Sequence, residues 1–127
     1  MLQVTPHMKI LICVDPIDFR KGIDGFAAVC RNQLEQDPYQ GTLFIFRSRS
    51  RSTIKILVYD GQGFWLCTKR LSTGKFQWWP SQETKEKSVT INSWDLQTLI
   101  GNGNPAKASF GKDWKKLASP QREVKKL

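Results

Sequence analysis

The chain has 127 residues, of which 39% are hydrophobic, and this length and composition fit one globular domain. It carries 20 lysines and arginines against 11 aspartates and glutamates, a formal net charge of +9 with an isoelectric point near 9.8, which favours nucleic acid as a partner. Its apolar runs are too short to cross a bilayer and its first residues lack the pattern of a signal peptide, so we expect a cytoplasmic protein that does not bind membranes.

The first two predicted elements are a strand and a helix. Residues 8–14 are rich in β-branched side chains and are followed by Asp15-Pro16, which predicts a buried strand that ends in a turn. From Gly22 onward, apolar residues recur at helical spacing, so we expect an amphipathic helix that ends before Asp37-Pro38. The positions of this apolar stripe are Ile23, Phe26, Ala27, Cys30 and Leu34.

Further short β segments follow, and turn-forming sequences separate them. Short β segments separated by turns are typical of an antiparallel β-meander. Residues 87–91 predict one more strand, and a last short helix is expected to be capped by Ser93 and closed by Gly101. The predicted fold class is therefore α+β: an antiparallel β-meander of about five to six strands packed against one amphipathic helix, with a short C-terminal helix and a basic tail. The segments of the meander are residues 42–46, 54–59, 64–71 and 75–79.

Positive charge is concentrated in two segments. Residues 47–75 hold seven basic side chains and one acidic one, and residues 107–127 hold seven basic and two acidic ones. We assign residues 8–101 to a single domain, residues 1–7 to an N-terminal extension and residues 102–127 to the basic tail. Two interpretations of the tail stay open, a disordered extension and an accessory basic arm.

The middle segment supplies the candidate binding residues. If the loop at 61–63 has three residues, Tyr59 pairs with Trp65 and Lys55 lies opposite Lys69, and a phosphate backbone would relieve the repulsion between the two lysines. Arg20 and Lys21, beside the free N–H groups at the start of the first helix, predict a weaker second anion site. Any one of the candidates taken alone is better explained as part of a solvated sheet face, and it is their clustering that favours binding. The candidates for the main site are Arg47, Arg49, Arg51, Lys55, Lys69, Arg70 and Lys75.

Arginine alternates with serine between two predicted strands, so residues 47–51 are expected at the tip of a hairpin. Arg47, Arg49 and Arg51 share one face if the strands continue through them, and they form a flexible basic finger if the segment is an open loop. Aromatic residues nearby are expected to pack in the core rather than to stack on bases. They are Phe64, Trp65, Phe76, Trp78 and Trp79.

Side chains for catalysis or metal binding are sparse. Cys13, Cys30 and Cys67 are widely spaced without a C-x-x-C motif, which indicates neither disulfides nor a zinc site. His7 is the single histidine and has no nearby partner, so neither a metal nor a cofactor is expected.

A metal-dependent nuclease would need clustered carboxylates, for which Asp15, Asp18, Asp24 and Asp60 are the candidates. Each of them also has a local structural explanation. Asp15 and Asp60 adjoin turn formers, Asp18 is placed to cap the first helix, and Asp24 lies in its first turn. We therefore expect a protein that is not an enzyme.

Four motifs in unbroken order carry a resemblance to a known family. They are VDPIDFRKGIDGF at 14–26, DPYQGTLFIF at 37–46, RSTIKILVYDGQGFWLCTKRL at 51–71 and GKFQWWP at 74–80. Over roughly residues 9–100 the chain resembles the accessory protein encoded by the second reading frame of insertion sequence 66 elements, the TnpB-type or Orf2-like family. It departs from that family in the tail beyond Gly103 and in having Trp79 beside Trp78.

The resemblance implies a helper in bacterial transposition and DNA recombination, which works beside a larger transposase that carries the acidic catalytic triad. Two hypotheses about its role stay open. The first is a nucleic-acid-binding accessory factor that contacts the element ends or a transposition intermediate. The second is a module that docks on the transposase or on other element-encoded proteins through exposed aromatic side chains, without binding DNA itself.

Overall fold

The computed structural model describes residues 5, 7–81, 83 and 85–104. Most of the predicted N-terminal extension and of the basic tail, residues 1–4, 6 and 105–127, therefore lies outside the described residues. No helix in the described ranges is long and apolar enough to span a membrane. In chain order the elements are β1 (Ile10–Cys13), α1 (Ile23–Asn32), β2 (Leu43–Arg47), β3 (Thr53–Tyr59), β4 (Phe64–Arg70), β5 (Ser88–Ile91) and α2 (Ser93–Ile100).

The strands form one mixed sheet in the order β4-β3-β2-β1-β5. β2, β3 and β4 are successive antiparallel neighbours, and β5 pairs antiparallel with β1. β1 and β2 are parallel, because α1 lies between them and carries the chain back to the end of the sheet where β1 began. The α+β class and five strands are confirmed, whereas the prediction of a wholly antiparallel meander is wrong at β1.

Both faces of the sheet are covered by a helix. On the face called here the α1 face, Phe26 and Cys30 of α1 are fully buried in one cluster with Leu57 of β3. On the opposite α2 face, Leu96 and Leu99 of α2 are fully buried in a second cluster. Burial of a leucine or phenylalanine side chain contributes about 1.5–3 kcal/mol, so the helix stripes and the alternating strand residues together hold the two layers onto the sheet.

The predicted strand at residues 75–79 is wrong, because this segment crosses the α2 face without joining the sheet. The Phe76 N–H donates to the Arg51 carbonyl at 2.9 Å, and the Gln77 N–H donates to the Asn102 side-chain oxygen at 2.9 Å. Phe76 itself is buried. The aromatic residues that resemble a strand are thus used to cover the core, and the backbone donors find partners in loops.

The N-cap of the α2 helix lies one residue earlier than predicted. Asn92 is the N-cap, and its side-chain oxygen accepts from the Asp95 N–H at 2.8 Å, whereas Ser93 is already the first helical residue. Gly101 closes the helix as predicted. The first helix also differs from expectation, because its N-cap is Gly22 and Asp18 makes no cap bond to it.

The pairing of β3 with β4 is shifted by one residue from the prediction. Tyr59 pairs with Phe64 and Lys55 with Thr68, since Asp60 belongs to the loop and its side chain accepts from the Gln62 N–H at 2.9 Å. The loop therefore has four residues instead of three. A shift of one residue moves a side chain to the other face, so Lys55 and Lys69 are not opposite one another.

All three cysteines are free, and two of them are buried as the sequence indicates. Burial raises the pKa of the Cys13 thiol to about 11 and that of Cys30 to about 12. Cys67 is half-buried on the α2 face. Cys13 and Cys30 thus serve as small core side chains that stay protonated at neutral pH.

A candidate nucleic-acid interface

Residues 47–52, called here the hairpin tip, form a closely hydrogen-bonded connection between β2 and β3. The Ser48 N–H donates to the Thr53 carbonyl and the Arg51 N–H donates to the Ser48 carbonyl, both at 3.0 Å. The hydroxyls of Ser48, Ser50 and Ser52 form a chain with oxygen separations of 3.0 and 2.9 Å. The serines therefore bridge the turn, and the segment is a hydrogen-bonded connection and not an open loop.

The three arginines of the hairpin tip do not share one face either. Arg47 ends β2 opposite Ile54, so its side chain lies on the α2 face, where it is only 6% exposed. Arg49 is exposed and lies near Asp18, whose pKa its charge helps to lower. Arg51 is exposed and has a positive φ of 68°, which turns the chain out of the strand direction.

Arg47 is supported by an aromatic ring. Its guanidinium carbon lies 5.1 Å from the centre of the Trp79 ring, within the range of a cation–π contact. The Trp79 indole N–H is shared between the carbonyls of Cys13 at 3.0 Å and Val14 at 3.2 Å, which fixes the ring. Burial lowers the pKa of Arg47, and the nearby charge of Arg51 lowers it further. Within the described part of the chain, the Arg47 Nε has no hydrogen-bond acceptor.

On the α1 face, the predicted anion site at the start of α1 is partly neutralised. Arg20 binds Asp18 through its guanidinium, with Nη2 2.7 Å from a carboxylate oxygen. This hydrogen bonding holds the pKa of Asp18 well below its usual range and raises that of Arg20. Close by, the Lys55 Nζ lies 5.4 Å from the ring centre of Phe19 and 5.5 Å from that of Phe26.

Apart from Lys21, which precedes α1, the remaining predicted cations lie around the β4 edge of the sheet and the loop that follows it. Lys69 donates to the Ile100 carbonyl at the end of α2, where the helix dipole favours a cation. Arg70 ends β4 opposite Thr53, which places it on the α1 face, and it is exposed. Lys75 and Lys21 are exposed as well.

The predicted set is therefore divided by the sheet. Arg20, Arg49 and Lys55 belong to the α1 face near Asp18, whereas Arg47 and Arg51 belong to the α2 face. Among the nine candidates, only Arg20 lies within ion-pair distance of a carboxylate in the described residues. Two basic surfaces with the hairpin tip between them replace the single basic face that the meander predicted.

Three of the four aspartates considered for metal binding have the local partners or positions described next. The Asp60 carboxylate accepts from the N–H groups of Gln62 and Gly63 and from the Trp65 indole, and these bonds lower its pKa. Asp18 binds Arg20, and Asp24 lies in the first turn of α1. Nowhere in the described ranges do three or more metal-ligating side chains come together. Asp60 is thus a turn residue that also orients Trp65.

Sequence reasoning missed the part that Trp79 plays in the site. Trp79 was expected to be core packing, and it does pack against the α2-face cluster, but it also holds the guanidinium of Arg47. The sequence holds little signal for this role of Trp79, because its contact with Arg47 joins residues that are far apart in the chain. The alternating serines at 48, 50 and 52 were a clearer signal of an ordered turn.

Comparison with known proteins gives one family. The family model described as IS66 Orf2 like protein matches residues 8–109. Two proteins of Sinorhizobium fredii are similar over nearly the whole chain: the uncharacterized protein y4jC is 36% identical over 92% of this chain and 90% of its own length, and y4hO is 40% identical over 98% of both. No solved structure matches.

Proposed function

This chain belongs to the IS66 Orf2-like family of transposition-associated accessory proteins, and we propose that it is a non-catalytic factor that binds nucleic acid. It would act in the bacterial cytoplasm on the element ends or on a transposition intermediate, together with the transposase of the element. Catalysis would belong to that transposase. The local hydrogen bonds of Asp18 and Asp60 support a role without chemistry, because a structural part in the turns accounts for both carboxylates.

The observation that carries the proposal is the ordered, exposed positive charge of the hairpin tip. Arg49 and Arg51 project from a turn that backbone and serine hydrogen bonds hold rigid. Neither has a described carboxylate within ion-pair distance, so both are available to phosphate. A turn whose backbone is already hydrogen-bonded loses less conformational freedom on binding, which favours contacts to a regular phosphate backbone.

Surrounding cations extend this surface over the edge of the sheet. Lys55 is partly shielded by two aromatic rings, and Arg20 is neutralised by Asp18. We therefore rank both below the exposed residues as candidate phosphate contacts. Lys69 donates to the Ile100 carbonyl at the end of α2, so we rank it below the other exposed residues as well. The residues that we propose to contact phosphate most directly are Arg49, Arg51, Arg70, Lys75 and Lys21.

The test is the salt dependence of binding to duplex DNA. If about five phosphates are contacted, the logarithm of the binding constant should fall against the logarithm of salt concentration with a slope near −4.5. Arg49→Gln should weaken binding and reduce the slope by about one unit, since it removes one phosphate contact. Arg31→Gln is the matched control, because Arg31 is exposed in the last turn of α1 and lies outside the proposed surface.

Equal effects of the two substitutions would contradict a defined binding surface. A slope near zero, or no binding to any duplex, would contradict nucleic-acid binding altogether. Element-end and scrambled DNA compared in the same titration would show whether any base sequence is read.

Exposed aromatic side chains favour a second candidate function, that of a module which docks on the transposase. Trp94 is 55% exposed on α2, Trp65 is 41% exposed on β4, and Tyr39 is 56% exposed. Tryptophan and tyrosine often anchor protein interfaces. Association with the transposase that persists after nuclease treatment, in a protein that fails to bind free DNA, would favour this function over the first.

A further inference from the structure

A small cavity on the α2 face lies directly beside the hairpin tip. Its volume is about 250 Å³, below the 300–1,000 Å³ that is typical of sites for drug-sized ligands. A single anionic group fits this size better than a whole nucleotide does. The cavity is lined by Arg47, Arg51, Phe76, Gln77, Trp79, Pro80 and Ser81.

Arg47 gives this cavity its chemistry. The side chain is only 6% exposed, and among the described residues its Nε has no acceptor. Burying a guanidinium nitrogen without an acceptor is costly, and such a nitrogen normally finds a carboxylate, a carbonyl or a phosphate. An acceptor supplied by a ligand would satisfy the buried nitrogen.

A second arginine is held at the same cavity by the backbone. The left-handed conformation of Arg51 is stabilised at both its peptide groups, because its N–H donates to the Ser48 carbonyl and its carbonyl accepts from the Phe76 N–H. Two like charges are thereby kept close to one another, and the charge of Arg51 contributes to the lowered pKa of Arg47. An anion placed between the two guanidinium groups would be attracted to both, and this attraction would offset the repulsion between them.

The Trp79 ring that lines the cavity is already covered, so it does not suit a stacked base. Arg47 already lies over the Trp79 ring, and the indole N–H is fixed by two backbone carbonyls. Gln77 and Ser81 contribute polar side chains at the rim. The Ser81 hydroxyl lies 3.5 Å from the carboxylate of Glu83, a distance at which a hydrogen bond is weak.

We propose that this cavity binds the terminal phosphate of a nucleic-acid strand, with Arg47 and Arg51 as its ligands. The inference rests on the proposed nucleic-acid-binding function. Two guanidinium groups favour a phosphate monoester, which carries nearly two negative charges at neutral pH, over the single charge of each internal phosphodiester. A protein of this family would then recognise strand ends as well as backbone.

The experiment compares oligonucleotides that are identical except for a 5′-phosphate, a 3′-phosphate or a hydroxyl at both ends. The wild-type protein should bind one of the phosphorylated strands roughly tenfold more tightly than the hydroxyl strand, as expected for charge-assisted hydrogen bonds. Arg51→Gln should abolish this preference. Arg49→Gln is the matched control, since it removes the same charge two residues away and outside the cavity, and it should weaken all strands equally.

A second variant keeps the test valid if the first one alters the turn. Arg47→Met should also abolish the preference. The free protein should unfold at an equal or higher urea concentration, because a buried guanidinium nitrogen without a described acceptor is removed. Equal binding of all strands by the wild-type protein would overturn the cavity proposal but leave the proposed function intact. Absence of binding to every strand would overturn both.

Two competitors identify the source of the phosphate. Inorganic phosphate should reduce the preference for the phosphorylated strand without displacing the hydroxyl strand. A phosphoserine peptide should compete no better than inorganic phosphate does. Stronger competition by the peptide would contradict a nucleic-acid end as the occupant and would assign the cavity to a phosphorylated protein.

Discussion

Single residues of this protein owe their roles to partners that are distant in the sequence. Arg47 follows four buried strand residues, and it is itself buried because the Trp79 ring lies over its guanidinium. Trp79 is in turn fixed by carbonyls at the end of β1. The stacking of a guanidinium on an indole lets a charged side chain occupy a position that an apolar residue would otherwise fill.

Asp60 shows how a charged residue can stabilise a turn, and it predicts a pH dependence. Hydrogen bonds from the N–H groups of Gln62 and Gly63 and from the Trp65 indole lower its pKa below the ordinary value of 3.8. The folded protein therefore binds this proton less readily than the unfolded chain. The stabilisation is complete above about pH 4 and is lost as the pH falls through the lowered pKa.

We expect Asp60→Ala to lower the urea midpoint of unfolding at pH 7 and the deficit relative to wild type to narrow steadily below pH 4. Circular dichroism across a urea series at several pH values measures the unfolding midpoints of the variant and of the wild-type protein. Gln62→Ala is the control, because it lies in the same loop and leaves the Asp60 bonds in place. A deficit that stays constant down to pH 2 would contradict the assignment of the stabilisation to the ionised carboxylate.

Among the elements, α2 decides how the second face of the sheet is covered. It is a short helix of 8 residues, but it buries Leu96 and Leu99 completely. Short helices are marginal by themselves, so α2 depends on its cap and on this burial. Its last carbonyl also receives the Lys69 side chain, which ties the helix to the edge strand β4.

The cap of α2 gives a direct test of its position. Asn92→Ala should lower the free energy of unfolding by about 1 kcal/mol, because the Asp95 N–H loses its acceptor. Ser93→Ala, one residue further on, should change it by no more than about 0.5 kcal/mol. Urea unfolding of both variants measures the difference. The reverse order of effects would place the cap at Ser93 after all.

Taken as a whole, the molecule carries its positive charge in two distinct regions of sequence. The domain contributes the hairpin tip and the sheet edge, and residues 105–127 contribute seven basic and two acidic side chains. The regular elements end at Ile100, and the last described backbone bond joins the Gly103 N–H to the Thr98 carbonyl. We expect residues 5–104 to fold without the residues that follow, and a truncation tests this together with the contribution of the tail to long-range electrostatics.

A chain that ends at Asn104 should keep the urea midpoint of the full protein. It loses a net five of the nine formal positive charges, so its DNA affinity should fall and its salt slope should become shallower. Terminal-phosphate preference should persist, because Arg47 and Arg51 remain. An unchanged salt slope would exclude the tail as an accessory nucleic-acid-binding arm, and a large loss of stability would assign it a structural role.

Local patterns in the sequence were sufficient for most of the elements. The apolar stripe of α1 and the turn-bounded segments of β2, β3 and β4 depend on neighbours within a few residues, and all four were predicted close to their observed bounds. The pairing of the strands could not be predicted from local patterns alone. The parallel contact of β1 with β2 follows from the path of α1, and the register of β3 with β4 follows from the four-residue loop at Asp60.

The sequence by itself determined the α+β class, the family, the excess of positive charge and the position of the Arg-Ser segment between two strands. Only the tertiary structure decided that Arg47 and Arg51 lie on one face and Arg49 near the other, and that Trp79 completes a cavity around the first two. The physical reason is that composition and periodicity are properties of adjacent residues. The direction of a side chain at a turn depends on register and on contacts with segments that are distant in the chain.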